Sequence, residues 1–187
     1  MATTDRTTVN GVDTAALTDA VEAITEDLAV GVFSFRAETE WSEALRSATH
    51  IQEFEQAGAP VESPEFVIEG DEPEQILGDR TAPNAVELLL SALGSCLSVG
   101  YAANAAAMGI DLDSLRIEME GDVDLRGFLG LSADVRPGYD SIRCTVSIDS
   151  DATDAELDAL REHVESTSPL VDIITNEVPL ETRLVTD

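Results

Sequence analysis

Two cysteines, two histidines and a large excess of carboxylates are the side chains of this chain that could carry chemistry. Cys96 stands in the run Leu93, Gly94, Ser95, Cys96, Leu97, where small neighbours let another backbone or a substrate come close. A thiol attacks only as the thiolate, which needs a positive charge beside it, whereas an unassisted cysteine is among the most buried residue types. Cys96 is therefore either a reagent or a core residue. Cys144 alternates with Ile142, Val146 and Ile148, which turns its thiol toward the core and gives it a structural role. A pair of cysteines is too few for a disulfide framework and fits a reducing compartment.

The histidines, His50 and His163, have no companion at metal-ligand spacing, and neither HExxH nor CxxC occurs, so no metal is expected. Pairs such as Glu118 with Glu120 arise from the sheer abundance of acids. The chain holds no GxGxxG, no Walker-type loop and no GxSxG elbow, which removes the usual signals for dinucleotides, phosphoryl transfer and serine hydrolysis. No cofactor is called for.

That abundance is itself informative. Asp and Glu total 38 against ten basic residues, all arginine, for a net charge of −28 over 187 residues. Such a surface repels itself at low ionic strength, and at molar salt the Debye length falls to roughly 3 Å and the repulsion is screened. With 43% hydrophobic residues and clear periodicity, the chain reads as a folded, salt-adapted protein rather than an acidic tail. Scattered arginines argue against a nucleic-acid partner. The first residues lack the basic and apolar regions of a signal peptide, and the apolar stretch over residues 85–110 carries Glu87 and Asn104. A cytoplasmic protein with a buried helix, and no membrane partner, is expected.

The elements that must position these groups follow from spacing. Leu17, Val21 and Ile24 set an amphipathic helix over residues 13–27. Alternation over residues 31–40 and an extended run over 45–54 predict paired strands. A loop is expected over residues 57–63, a short strand over 65–69 and a turn at Gly70, Asp71 and Pro73. Asn84 opens the most apolar helix, which Gly109 ends. Strands over residues 115–120 and 142–148 flank a glycine-rich excursion, residues 121–139. Ser150 or Asp151 is placed as the cap of a helix through Leu157, Leu160 and Val164, and residues 178–185 as a closing strand. The class is α+β, with a leader and helix over residues 1–30 and one domain over residues 31–187.

Residues 84–96 (NAVELLLSALGSC) resemble the cysteine helix of the OsmC-like proteins, the family that includes the organic hydroperoxide resistance proteins. Residues 70–78, 121–131 (GDVDLRGFLGL), 136–139 and Ser168, Pro169, Leu170 are similar to that family in the same order, and the resemblance runs from about residue 32 to 185.

The resemblance implies antiparallel sheets around two long central helices in an intertwined homodimer, with active sites at the subunit interface. It further implies that Cys96 attacks an organic hydroperoxide, assisted by an Arg and a Glu, and that a second cysteine before a proline resolves the sulfenic acid. By context Arg46 matches the activating arginine, with Arg36 as runner-up. Two positions depart from the pattern. Ser168 stands where the resolving cysteine belongs, and Val86 stands at the supporting glutamate, with Glu87 displaced by one. Two main readings follow: a one-cysteine peroxidase resolved by an external thiol, or a binding or redox-sensing dimer that has lost turnover. A purely structural acidic dimer is the third.

Overall fold

The computed structural model describes residues 8–186 and divides into two compact units. The chain opens with a hairpin, β1 (Thr8–Val9) and β2 (Val12–Asp13). Its two-residue turn, Asn10 and Gly11, takes φ of 53° and 77°, the double positive φ that a tight right-twisting hairpin requires. Part of the segment read as a polar leader thus has regular structure. The rest of it, residues 1–7, lies outside the described residues.

The first unit holds residues 13–90. Its helix α1 (Thr14–Glu26) begins where the Asp13 carboxylate accepts the N–H groups of Ala15 and Ala16 at 3.0 and 3.1 Å. That cap satisfies donors a helix start otherwise leaves unpaired. The stretch expected as one strand is broken into β3 (Phe33–Ser34) and β4 (Ala37–Trp41), and its partner into β5 (Ser47–Ile51) and β6 (Phe54–Gln56). Residues 57–63, expected as a loop, instead make a second tight turn at Ala57 and Gly58 and then β7 (Ala59–Val61). With β8 (Phe66–Gly70) these strands form two antiparallel three-stranded sheets, ordered β4-β5-β8 and β3-β6-β7. The register pairs Ala37 with Ile51 and Ile51 with Phe66 in the first, and Phe33 with Gln56 in the second.

Helix α2 (Ala85–Met108) starts in the first unit and continues into the second. At its start Asn84 accepts the Glu87 N–H and Glu87 accepts the Asn84 N–H, both at 2.9 Å, a reciprocal cap. The helix is long and apolar enough by length and composition to cross a membrane. Contrary to the expectation of a buried helix, only one face is enclosed: Leu93, Leu97, Tyr101, Ala105 and Ala106 are buried, while Ser91, Ala92, Ser95, Ser98 and Val99 are exposed.

The second unit joins residues 8–12 to the chain from Ser91 onward. After Gly109, at φ 72°, come β9 (Ser114–Val123), the single turn α3 (Leu125–Phe128), β10 (Tyr139–Asp149), α4 (Asp154–Thr167) and α5 (Pro169–Thr175). Long antiparallel β9 and β10 present Leu115, Ile117, Met119, Ile142, Val146 and Ile148 to the buried row of α2, and Leu160 and Val164 of α4 close the core at 0% and 1% exposure. Burying each such side chain contributes about 1.5–3 kcal/mol. Gly100 lets the helices meet, because a Cβ there would stand 3.1 Å from a Val164 methyl. The cap of α4 is Thr153, paired with Glu156 in a full capping box, and not Ser150 or Asp151. Ser150 instead donates to the Asp111 carbonyl. The expected closing strand over residues 178–185 is irregular, with Leu180 and Leu184 largely exposed. Alternation marks a segment able to pair, but no strand in the described chain accepts it.

Candidate active site around Cys96

Cys96 lies half-buried on α2, and its Sγ stands 3.4 Å from the hydroxyl of Ser168. Ser168 ends α4 and caps α5, is 7% exposed, and has φ −73° and ψ 120°. The following Pro169 drives it out of the helical region and is itself well placed at the first turn of α5. Its oxygen accepts the Val171 N–H at 3.3 Å, so its own proton is free to be donated toward the sulfur. The serine before Pro169 is therefore in contact with Cys96. A hydroxyl there cannot form a disulfide, yet it can donate to a thiolate or to a sulfenate.

Cys144 shares the inner side of β10 with Ile142 and Val146, as alternation predicts, but as a residue it is exposed rather than enclosed. Partial shielding of its thiol, with Glu165 adding to the effect, raises its pKa and keeps it protonated.

Arg46 lies in the first unit, immediately before β5. Its guanidinium is held by Asp79 and by Glu43 at 3.0 Å, and its Nε is 4.0 Å from Asp71. The Asp79 hydrogen bond is the main reason its pKa is raised. Arg36, the runner-up, pairs across strands with Glu55 at 2.8 Å. Both arginines are committed to carboxylates of their own unit, and Cys96 belongs to the other.

Asp71 organises the loop after β8. It is 2% exposed and accepts from the Thr81 N–H and hydroxyl, both at 2.8 Å, and from the Glu72 N–H at 2.8 Å. These donors, the Thr81 N–H first, lower its pKa from 3.8 to about 2. Gly78 completes the loop, since a Cβ there would fall 1.8 Å from the Glu72 carbonyl oxygen. The depressed pKa means that the carboxylate's stabilisation is present above pH 3.8 and is lost as pH falls toward about 2. Asp71→Asn is expected to lower the thermal midpoint at neutral pH by roughly 5 °C and to remove that part of the acid sensitivity. An unchanged midpoint and acid limb would count against the clamp.

Sequence spacing missed Arg80. It stands at φ 54° and makes two hydrogen bonds, 2.5 and 2.6 Å long, to Glu87, which lies nine residues before Cys96 on α2. With the Asn84 N–H as a third donor, the pair holds the Glu87 pKa at about 2. Glu87 displaced by one position was legible, but no spacing rule points from it to an arginine in a left-handed turn. His50 pairs with Glu65 at 2.9 Å. Among the described residues no group of three His, Cys, Asp or Glu side chains is arranged to hold a metal ion.

The sequence pattern of the OsmC-like proteins matches residues 78–183, more than half of the chain, including the whole cysteine helix from Ala85 and the Ser168–Pro169 step. The chain belongs to the OsmC-like family. Solved structures agree in fold. An OsmC-like protein from Mycoplasma pneumoniae superposes with a TM-score of 0.59 at 17% identity, over 76% of this chain and 87% of that one. An organic hydroperoxide resistance protein OsmC from Legionella pneumophila does so with a TM-score of 0.51 at 13% identity, over 75% and 88%. At these identities the likeness is one of fold. No curated protein matches the chain. The α+β class and the antiparallel sheets of an OsmC-like protein are thus established.

Proposed function

We propose that this OsmC-like protein reduces organic hydroperoxides through Cys96 alone, with an external thiol as reductant. The observation that carries the reading is the 3.4 Å contact between Cys96 and Ser168, which puts a hydroxyl donor where a resolving thiol would otherwise attack. The Cys96 thiolate attacks the terminal oxygen of the hydroperoxide, the O–O bond breaks, and the alkoxide leaves and takes up a proton to become the alcohol. Cys96 is then a sulfenic acid hydrogen-bonded by Ser168. A small thiol attacks its sulfur, releasing water and forming a mixed disulfide. A second thiol molecule frees Cys96 and departs as the disulfide of the reductant.

The same reading assigns Arg46 as the guanidinium that favours the thiolate, and a homodimer as the working form. Support for the dimer is the exposure of large apolar side chains of the first unit, Phe35, Trp41 and Phe66 at 76%, 73% and 56%. The capture of Arg46 by Asp79 and Glu43 favours the second reading, a binding or redox-sensing dimer without turnover.

Cumene hydroperoxide consumption at molar salt separates the two. Turnover sustained by a dithiol and abolished by Cys96→Ser, with Arg46→Gln slowing it about 100-fold or more, is the expected result. Loss of the Cys96 thiol without turnover would leave the sensing reading, and an inert thiol would remove both.

A further inference from the structure

Between α2, β10, α4 and α5 the second unit forms a half-open pocket of about 320 Å3 that does not include Cys96. Its walls are mainly apolar: Leu93, Leu97, Ile142, Val146, Val171 and Ile174. Tyr101 also lines it, and although only 1% exposed, its hydroxyl has no hydrogen-bond partner among the described residues. A buried phenol ordinarily finds one. Glu165, Cys144 and Arg161, whose charges reach this hydroxyl, line the same pocket. Burial raises its pKa, so it is a donor at neutral pH.

The walls also say what does not fit. Arg161 is shared by Asp158, Glu162 and Glu165, so no free positive charge faces the pocket from α4. With Glu165 beside it, an anionic ligand is disfavoured. Arg161, whose side chain is 44% exposed, also lines a neighbouring cavity of about 470 Å3 together with Tyr101 and Val146.

We propose that this pocket binds an uncharged, largely aliphatic molecule with a single carbonyl or ether oxygen, which accepts from Tyr101. The volume lies at the small end of the range for small-molecule sites, about 300–1,000 Å3, which calls for a small ligand.

Cys144 in the wall supplies the reporter. In full-length Cys96→Ser it is the sole thiol, and its alkylation by iodoacetamide is followed at molar salt and mildly alkaline pH against added 2-heptanone. Saturation-transfer NMR on the ketone gives a second readout that does not use the thiol. The expected result is saturable slowing of alkylation with ketone saturation in the NMR. Adding Tyr101→Phe, which keeps the ring and removes the donor, is expected to raise the half-protecting concentration about tenfold. Ile174→Trp, filling the pocket from its α5 wall, is expected to abolish both signals with the circular dichroism unchanged. Alkylation indifferent to the ketone, or equal protection in Tyr101→Phe, overturns the proposal.

Discussion

Ser168→Cys is expected to form a disulfide with Cys96 as soon as one equivalent of cumene hydroperoxide is added, without any small thiol. The Oγ of Ser168 already stands 3.4 Å from the Cys96 sulfur, and a closure to about 2.05 Å between sulfurs asks for a movement that the longer C–S bonds partly supply. Both side chains hang from helix ends or helix faces, and the Ser168 hydroxyl, besides facing Cys96, accepts the Val171 N–H at 3.3 Å. The readout is a loss of two mass units and a fall from three free thiols to one, the survivor being Cys144. The bridge would close a loop of more than 70 residues, worth about 4 kcal/mol on chain-entropy grounds, so the oxidised variant should melt roughly 10 °C above the reduced one. Three surviving thiols after oxidation would mean that position 168 does not face the sulfur, and the proposed fate of the sulfenic acid would go with it.

Lowering the salt from molar to millimolar is expected to lower the thermal midpoint by roughly 10 °C or more, or to unfold the protein outright. The ten arginines cannot neutralise 38 acids, and several serve more than one. Arg143 is held by both Glu120 and Asp122, at 2.9 and 2.7 Å, and Arg161 by three acids of α4. Such exposed pairs contribute about 0–1 kcal/mol each, too little to offset the repulsion of the remaining carboxylates. Because the mechanism is screening, sodium and potassium chloride should act alike, and a neutral osmolyte at equal osmolarity should recover little. A midpoint that stays flat across the titration would remove salt adaptation as an explanation of the composition.

Local signals carried much of the architecture. The 3.6-residue period of Leu17, Val21 and Ile24 with Asp at both ends fixed α1 to within a residue, and alternation in β9 and β10 placed Cys144 on the correct side of its strand. Failures occurred where a longer-range or finer choice decided. Thr153 won the α4 cap because Glu156 completes its box, while Ser150 had another acceptor. The alternation at Leu180 and Leu184 is real, but pairing needs an edge in register, which no single strand pattern contains. At the site, Cys96 and Ser168 were legible through their motifs, whereas Arg80 and the free hydroxyl of Tyr101 depend on a left-handed turn and on packing. Arg46 was chosen by context, and what context could not show was the crowd of carboxylates around it.

The second unit is interrupted in the chain: residues 8–12 belong to it, then the whole first unit intervenes before it resumes at Ser91. Asn10 joins the two pieces: it donates to the Ile110 carbonyl at 2.9 Å and accepts the Leu112 N–H at 2.8 Å, across a hundred residues. Helix α2 itself closes locally, with the Gly109 N–H on the Ala106 carbonyl and the Ile110 N–H on the Ala105 carbonyl, whereas the contact through Asn10 has high sequence separation, the kind that forms slowly. A chain shortened past Asn10 leaves the Ile110 carbonyl and the Leu112 amide without that partner. The hairpin thus acts on the order of assembly: its contact beyond α2 cannot form until Ile110 and Leu112 have been made, after the whole first unit.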